Sequence, residues 1–226
     1  MGERREKLSR MRAMIGDNMR KSSQEIPRAS GFISVDMTEL LELQQELREQ
    51  GKKVSDTIFL VKAVVEGLKE RPELNARLEG DEVVYYDSIN AGVGANTPNG
   101  LMVLVLRDLR NKSLLQIADQ FREMMGRLAN NKLTMDDVTG STFTISSLSK
   151  SKLRAFSSII NNNECFILGM AGIHKEPVVL EDGSIAARDI CNIIVNMNHV
   201  LVDGVSITAF LERVCDVLEH PRAYLD

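Results

Sequence analysis

Residues 191–220 read CNIIVNMNHVLVDGVSITAFLERVCDVLEH. The first eight are strongly apolar and strand-like. From Asp203 onward the period changes: Ile207, Phe210, Leu211, Val214, Val217 and Leu218 recur on one face of a helix. Between strand and helix there is room only for a tight connection, and it carries His199, Asp203 and Gly204. Loops held by rigid elements are where reactive side chains concentrate, and the ordinary pKa of histidine suits proton transfer near neutrality. On residue type alone two readings stay open. His199 is either a general base or a half-buried histidine at a strand end, and Asp203 belongs to a site or only caps the last helix. A metal needs more ligands than these two, and none stand nearby in sequence. His174 and His220 lack such a setting and are expected to be structural or exposed.

Working outward, the same two periods alternate along the chain. Helical spacing runs through REKLSRMRAMIGDNMRKSSQ (Leu8, Met11, Met14, Ile15, Met19), ELLELQQELREQ, SDTIFLVKAVVEGLKE and SLLQIADQFREMMGRLANN. Thr38 is the expected N-cap of the second of these, with Gly51 closing it. Short strand-like runs are ASGFISVDM, EVVYY, SINAGVGAN, GLMVLVL, STFTISSL, ECFILGMAG, EPVVL and ARDICNIIVNMN. Several strands follow one another without a strict βαβ rhythm, which predicts an α/β fold with a mixed sheet and helices packed on it. No linker-like segment divides residues 1–226, so one domain is expected.

The glycines of GVGANTPNG (92–100) lack the third glycine and the following helix of a phosphate-binding turn, so a turn between two strands is expected. No P-loop, HExxH, GxSxG or Cys/His metal cluster is present in the sequence. In GSTFTISSLS (140–149), Thr142, Thr144 and Ser146 alternate with Phe143 and Ile145. Such hydroxyls either pair across strands or face a site, where one could donate to a developing oxyanion.

Composition narrows the class. With 226 residues, 43% hydrophobic and 27% charged, the chain can bury a substantial core without disulfides or metal. The net charge of −4 comes without a basic stripe, which argues against nucleic acid. No apolar run nears the ~20 residues of a membrane span, and no signal core opens the chain. Cys165, Cys191 and Cys215 have no CxxC spacing and read as buried free thiols of a reducing, cytoplasmic setting.

Taken in order, LSRMRAMIGDNM, IPRASGFISVDMTELLELQQEL, PELNARL, GVGANTPNGLMVLVL, TGSTFTISSL, ECFILG, His-x-x-x-Asp-Gly at 199–204 and FLERVCDVLEHP resemble the dihydrolipoyl acyltransferases of 2-oxoacid dehydrogenase complexes. Chloramphenicol acetyltransferase shares that fold and signature. The resemblance implies a chloramphenicol acetyltransferase-like mixed sheet flanked by helices, assembled as a homotrimer with active sites between subunits. It implies acyl transfer between coenzyme A and a dihydrolipoyl-type thiol, without a metal. His199 takes the role of general base, Ser146 that of oxyanion donor, and Asp203 that of the carboxylate ordering the turn. Arg12 falls on a residue that pairs with Asp203. A small-molecule O- or N-acetyltransferase and a non-catalytic core subunit are the alternatives.

Typical relatives carry lipoyl and subunit-binding domains, for which this sequence has no room. The lipoyl group is therefore expected on a separate partner protein, alongside dehydrogenase subunits. Three departures bear on the acceptor side and the turn. Asp-His-Arg of the relatives is Asn198-His199-Val200, their Asn-Pro-Pro is Asn161-Asn162-Asn163, and Leu104 and Ser149 replace a proline and a glycine. Lys150 and Lys152 are expected on a solvated loop, although they stand where they could approach coenzyme A phosphates.

Overall fold

The computed structural model describes residues 3–97 and 100–225. In chain order the elements are α1 (Arg10–Glu25), β1 (Arg28–Asp36), α2 (Thr38–Glu49), α3 (Asp56–Glu70), β2 (Ala76–Glu79) and β3 (Glu82–Tyr85). They continue with β4 (Ala91–Thr97), β5 (Gly100–Leu106), α4 (Leu114–Ala129), β6 (Phe143–Ser147), β7 (Phe166–Met170), β8 (His174–Val179), β9 (Ile185–Asn198) and α5 (Gly204–Glu219).

Seven strands form one sheet in the order β1-β9-β7-β6-β4-β5, with β8 also paired to β9. β6 is parallel to both β4 and β7, and the other pairs are antiparallel, so the sheet is mixed as the element order predicts. β2 and β3 form a separate hairpin. The long β9 is the spine: its second half lies between β1 and β7, and its first half pairs with β8.

Alternation along each strand decides what each face meets. Cys191, Ile193, Val195 and Met197 of β9 join Phe143 and Ile145 of β6 and Phe166 and Leu168 of β7 in the main core. α3 is buried on nearly every side, and it packs with α5 over this face. The Phe166 ring bridges the layers, 5.8 Å from Phe143 and 5.0 Å from Phe210 on α5, distances typical of favourable aromatic pairs. The opposite face is covered by the coil after β6, which is why β7 carries a glycine. A Cβ on Gly169 would stand 2.8 Å from the Phe156 ring. Ile26, Ile160 and Ile167 make a small second cluster on this side.

Two local expectations are corrected. Thr38 does not cap α2 but is its first helical residue, with Met37 at the cap position. The Asp36 carboxylate accepts the Thr38 N–H, while the Thr38 hydroxyl accepts the Asp189 N–H and ties α2 to β9. Gly92 and Gly94 lie within β4 and not in a turn. Pro98 and Asn99 lie outside the described residues. The expected stripe on α1 is only partly buried: Met14 is 65% exposed and Ile15 is exposed, while the Met11 side chain is outside the described set. All three cysteines are buried and free, and burial pushes each thiol up to about 12.

Candidate active site

His199 follows directly on β9. Its N–H donates to Pro27 O (3.0 Å), which ties the turn to the residue before β1. Asn198, the last residue of β9, donates its N–H to Cys165 O, and its carbonyl accepts the N–H groups of Leu201 and Val202. Its side-chain Oδ1 accepts the Val200 N–H at 3.1 Å. Asp203 then caps α5 by accepting the Ser206 N–H at 2.8 Å. That bond, with the Ser206 side chain and the neighbouring His199, holds the Asp203 carboxyl below the usual carboxylate range. The turn is thus anchored at Pro27, Cys165 and Asn198, while the exposed His199 imidazole makes no hydrogen bond among the described residues.

The hydroxyls of residues 141–146 divide by partner. The Thr142 hydroxyl accepts the Asn90 N–H (3.1 Å). Those of Ser141 and Thr144 donate to the two oxygens of Glu164, at 2.6 and 2.7 Å. Glu164 is buried, and burial outweighs these donors and raises its carboxyl to about 7. Ser146 is half-buried, and its Oγ makes no hydrogen bond among the described residues. The hydroxyls of Thr142 and Thr144 thus bond across neighbouring segments, the structural one of the two roles expected of them.

A single chain does not bring His199 and Ser146 together. Ser146 faces Gly169 across β6 and β7, and Gly169 faces Ile194 across β7 and β9. His199 lies five positions beyond Ile194, about 17 Å along the strand and about 10 Å across two strand spacings, so the two Cα atoms are on the order of 20 Å apart.

At the Ser146 end a cleft of about 810 Å³ opens between the α2–α3 junction, α4 and the coil after β6. Arg48, Lys53, Arg122 and Lys150 line it, with Asp56 as the opposing charge. The buried Ser55 Oγ, at the α3 N-cap, is without a partner among the described residues and also lines the cleft. Lys150 therefore belongs to a cationic concavity, whereas Lys152 is exposed outside it. Sequence reasoning missed Arg48, Lys53 and Arg122, which come from segments far apart in the chain. It also missed Glu164, whose signal is a lone acid directly before an apolar strand.

Arg12 is not the partner of Asp203 in the chain. Its guanidinium lies near Gly100, and among the described residues the two make no ion pair. The loop at Asn161–163 takes a path closed to proline. Asn162 and Asn163 have φ of 46° and 57°, whereas a proline ring holds φ near −65°. Asn18 Nδ2 donates to Asn162 Oδ1 and links this loop to α1. Among the described residues no group of three or more His, Cys, Asp or Glu side chains is placed to hold a metal, and no helix is long and apolar enough to cross a membrane.

A model of the family described as 2-oxoacid dehydrogenases acyltransferase (catalytic domain) matches residues 1–225. The lipoamide acyltransferase component of the branched-chain alpha-keto acid dehydrogenase complex of Bacillus subtilis (strain 168) is 31% identical over 223 residues, covering 96% of this chain and 53% of that protein. The chain therefore spans about half the length of that curated relative. A probable dihydrolipoamide acetyltransferase from Listeria monocytogenes 4b F2365 superposes with a TM-score of 0.91 at 31% identity, covering 97% of this chain and 95% of that one. The cubic core of a pyruvate dehydrogenase multienzyme complex gives a TM-score of 0.92 at 29% identity, over 100% of this chain and 95% of that one. The mixed sheet flanked by helices is the chloramphenicol acetyltransferase-like fold that these structures share.

Proposed function

The chain belongs to the family of 2-oxoacid dehydrogenase acyltransferase catalytic domains, and from that premise we propose that it moves an acyl group between coenzyme A and a dihydrolipoyl-type thiol at a site shared by two subunits. The observation that carries the shared site is the separation of His199 from Ser146. Each side chain is free of hydrogen bonds among the described residues, yet they stand at opposite ends of one sheet. A neighbouring copy supplies the missing half, and a ring of three closes such a head-to-tail contact. The exposed apolar surface of Met14 and Ile15 on α1 and of Phe32 on β1 (72% exposed) suits burial in that contact.

In this reading His199 of one subunit takes the proton of the acceptor thiol as its sulfur attacks the thioester carbonyl. The new carbon–sulfur bond leaves a negative charge on the carbonyl oxygen, which the Ser146 hydroxyl of the neighbour meets with a hydrogen bond. Collapse breaks the bond to coenzyme A, whose sulfur receives the proton back from the imidazolium. The acyl group passes directly between thiols, so no protein nucleophile is needed. Asp203 keeps its carboxylate on the α5 N-terminus and thereby fixes the turn. The cationic cleft of Arg48, Lys53, Arg122 and Lys150 suits coenzyme A phosphates, and the lipoyl group would come on a partner protein.

Co-expression of His199→Ala and Ser146→Ala chains tests this reading, each variant alone being nearly inactive in acyl transfer to dihydrolipoamide. Random three-chain rings should recover about one quarter of wild-type activity, because half the chains keep His199 and half of their neighbours keep Ser146. No recovery would overturn the shared site, and a wild-type protein silent with every acyl-CoA would overturn the activity.

A further inference from the structure

We infer that Asn198 is the positioning residue for His199, setting the aim of the base through the backbone of the turn. This rests on the proposed role of His199. Four hydrogen bonds meet at Asn198: its N–H to Cys165 O (2.8 Å), the Leu201 and Val202 N–H groups to its carbonyl, and the Val200 N–H to its Oδ1. The last closes an Asx-type turn around His199, in which a short side chain stands in for backbone. The imidazole has no hydrogen bond of its own among the described residues, so its direction is set by the backbone of this turn, which the His199 N–H bond to Pro27 O also anchors.

The setting of Asn198 is otherwise an unfavourable one for an amide. It is 0% exposed, and its Nδ2 is buried without a partner among the described residues. Burying an amide donor unpaired is destabilising, and an aliphatic residue would serve β9 better as a strand. What an aliphatic residue lacks is the acceptor for the Val200 N–H. The bond also fixes which way the amide points, because Oδ1 must face Val200. The charged groups nearest along the chain and across the pairs are Asp203 on the α5 cap, Arg28 opposite Asn198 on β1, and Glu164 ahead of β7. The bond that Asn198 makes is neutral and competes with none of them.

Acyl transfer from acyl-CoA to dihydrolipoamide should be measured for wild type, Asn198→Ala and Asn198→Ser, together with hydrogen exchange at the Val200 amide. The expected result for Asn198→Ala is a kcat lower by about 100-fold, the scale of a misplacement near 1 Å, with KM for acyl-CoA within about twofold of wild type, since the cleft is untouched. Val200 exchange should quicken. Serine, which restores an acceptor oxygen, should recover most of both. An Asn198→Ala chain within about threefold of the wild-type kcat overturns the inference. So does a serine chain that regains Val200 protection but not kcat. Should the alanine chain not fold, Asn198→Asp takes its place beside serine, and kcat that fails to follow Val200 protection across the two overturns the inference. A silent wild type instead defeats the proposed function, and this inference with it.

Discussion

At one end of the sheet the His199 turn is held by bonds through Pro27, Cys165 and Asn198, and its imidazole has no hydrogen bond among the described residues. At the other, Ser146 sits in an ordinary strand pair, and the coil that follows it contributes Lys150 to a cleft lined by four cations. In the proposed reaction one end would set direction and the other would hold charge. The difference teaches that the same sheet can present two half-sites, each suited to a different demand of one reaction. A base must be aimed, whereas an anionic substrate must be held.

Replacing the aimed group should cost most. His199→Ala should lower kcat about 1000-fold, within the range for loss of a general base, with ring assembly unchanged by sedimentation; activity near wild type would break the assignment of that end. Ser146→Ala should lower kcat by roughly 100-fold or more with little change in KM, the pattern of a donor that acts on the oxyanion alone. A larger effect on KM than on kcat would move Ser146 from the chemistry to substrate binding.

Glu164 links the two ends, since it directly precedes Cys165, which pairs with Asn198, and accepts a hydrogen bond from Thr144 on β6. Its folded carboxyl titrates at about 7 against an ordinary 4.5, burial being the main cause. The folded state therefore holds that proton more tightly than the unfolded chain. The resulting stability is complete below about pH 4.5 and is lost as the pH rises through 7, a change on the order of 3 kcal/mol. Glu164→Gln should flatten this slope in chemical denaturation at a series of pH values, and an unchanged slope would refute the buried titration. The smallest effect belongs to the charged cleft. Arg122→Glu should raise KM for acyl-CoA about tenfold with kcat nearly unchanged and a weaker dependence on salt. An unaltered KM would place coenzyme A elsewhere.

Much of the fold is legible in the sequence because its signals are local. The period change at Asp203 marks α5 within a residue, and the apolar run before His199 marks β9. Ser146 is legible as the last member of an alternating hydroxyl set. Thr38 misleads because the preference for threonine at an N-cap is local, whereas its hydroxyl is claimed by Asp189, 151 residues away. The distance between His199 and Ser146 is invisible for a related reason. It depends on the register of β7 against both neighbours, which no single segment encodes. The cationic cleft likewise needs α2, α4 and the coil after β6 to converge.

The depth of the three cysteines bears on what the protein must avoid. A protein whose proposed substrates are thiols and thioesters works amid groups that exchange readily with any exposed thiolate. With their thiols pushed up to about 12, Cys165, Cys191 and Cys215 are ionised to about one part in 100,000 at pH 7. So little thiolate disfavours both acyl transfer to these cysteines and mixed disulfides with a dihydrolipoyl-type partner. The fold keeps its own sulfur buried and protonated, which suits the proposed transfer between the sulfurs of others.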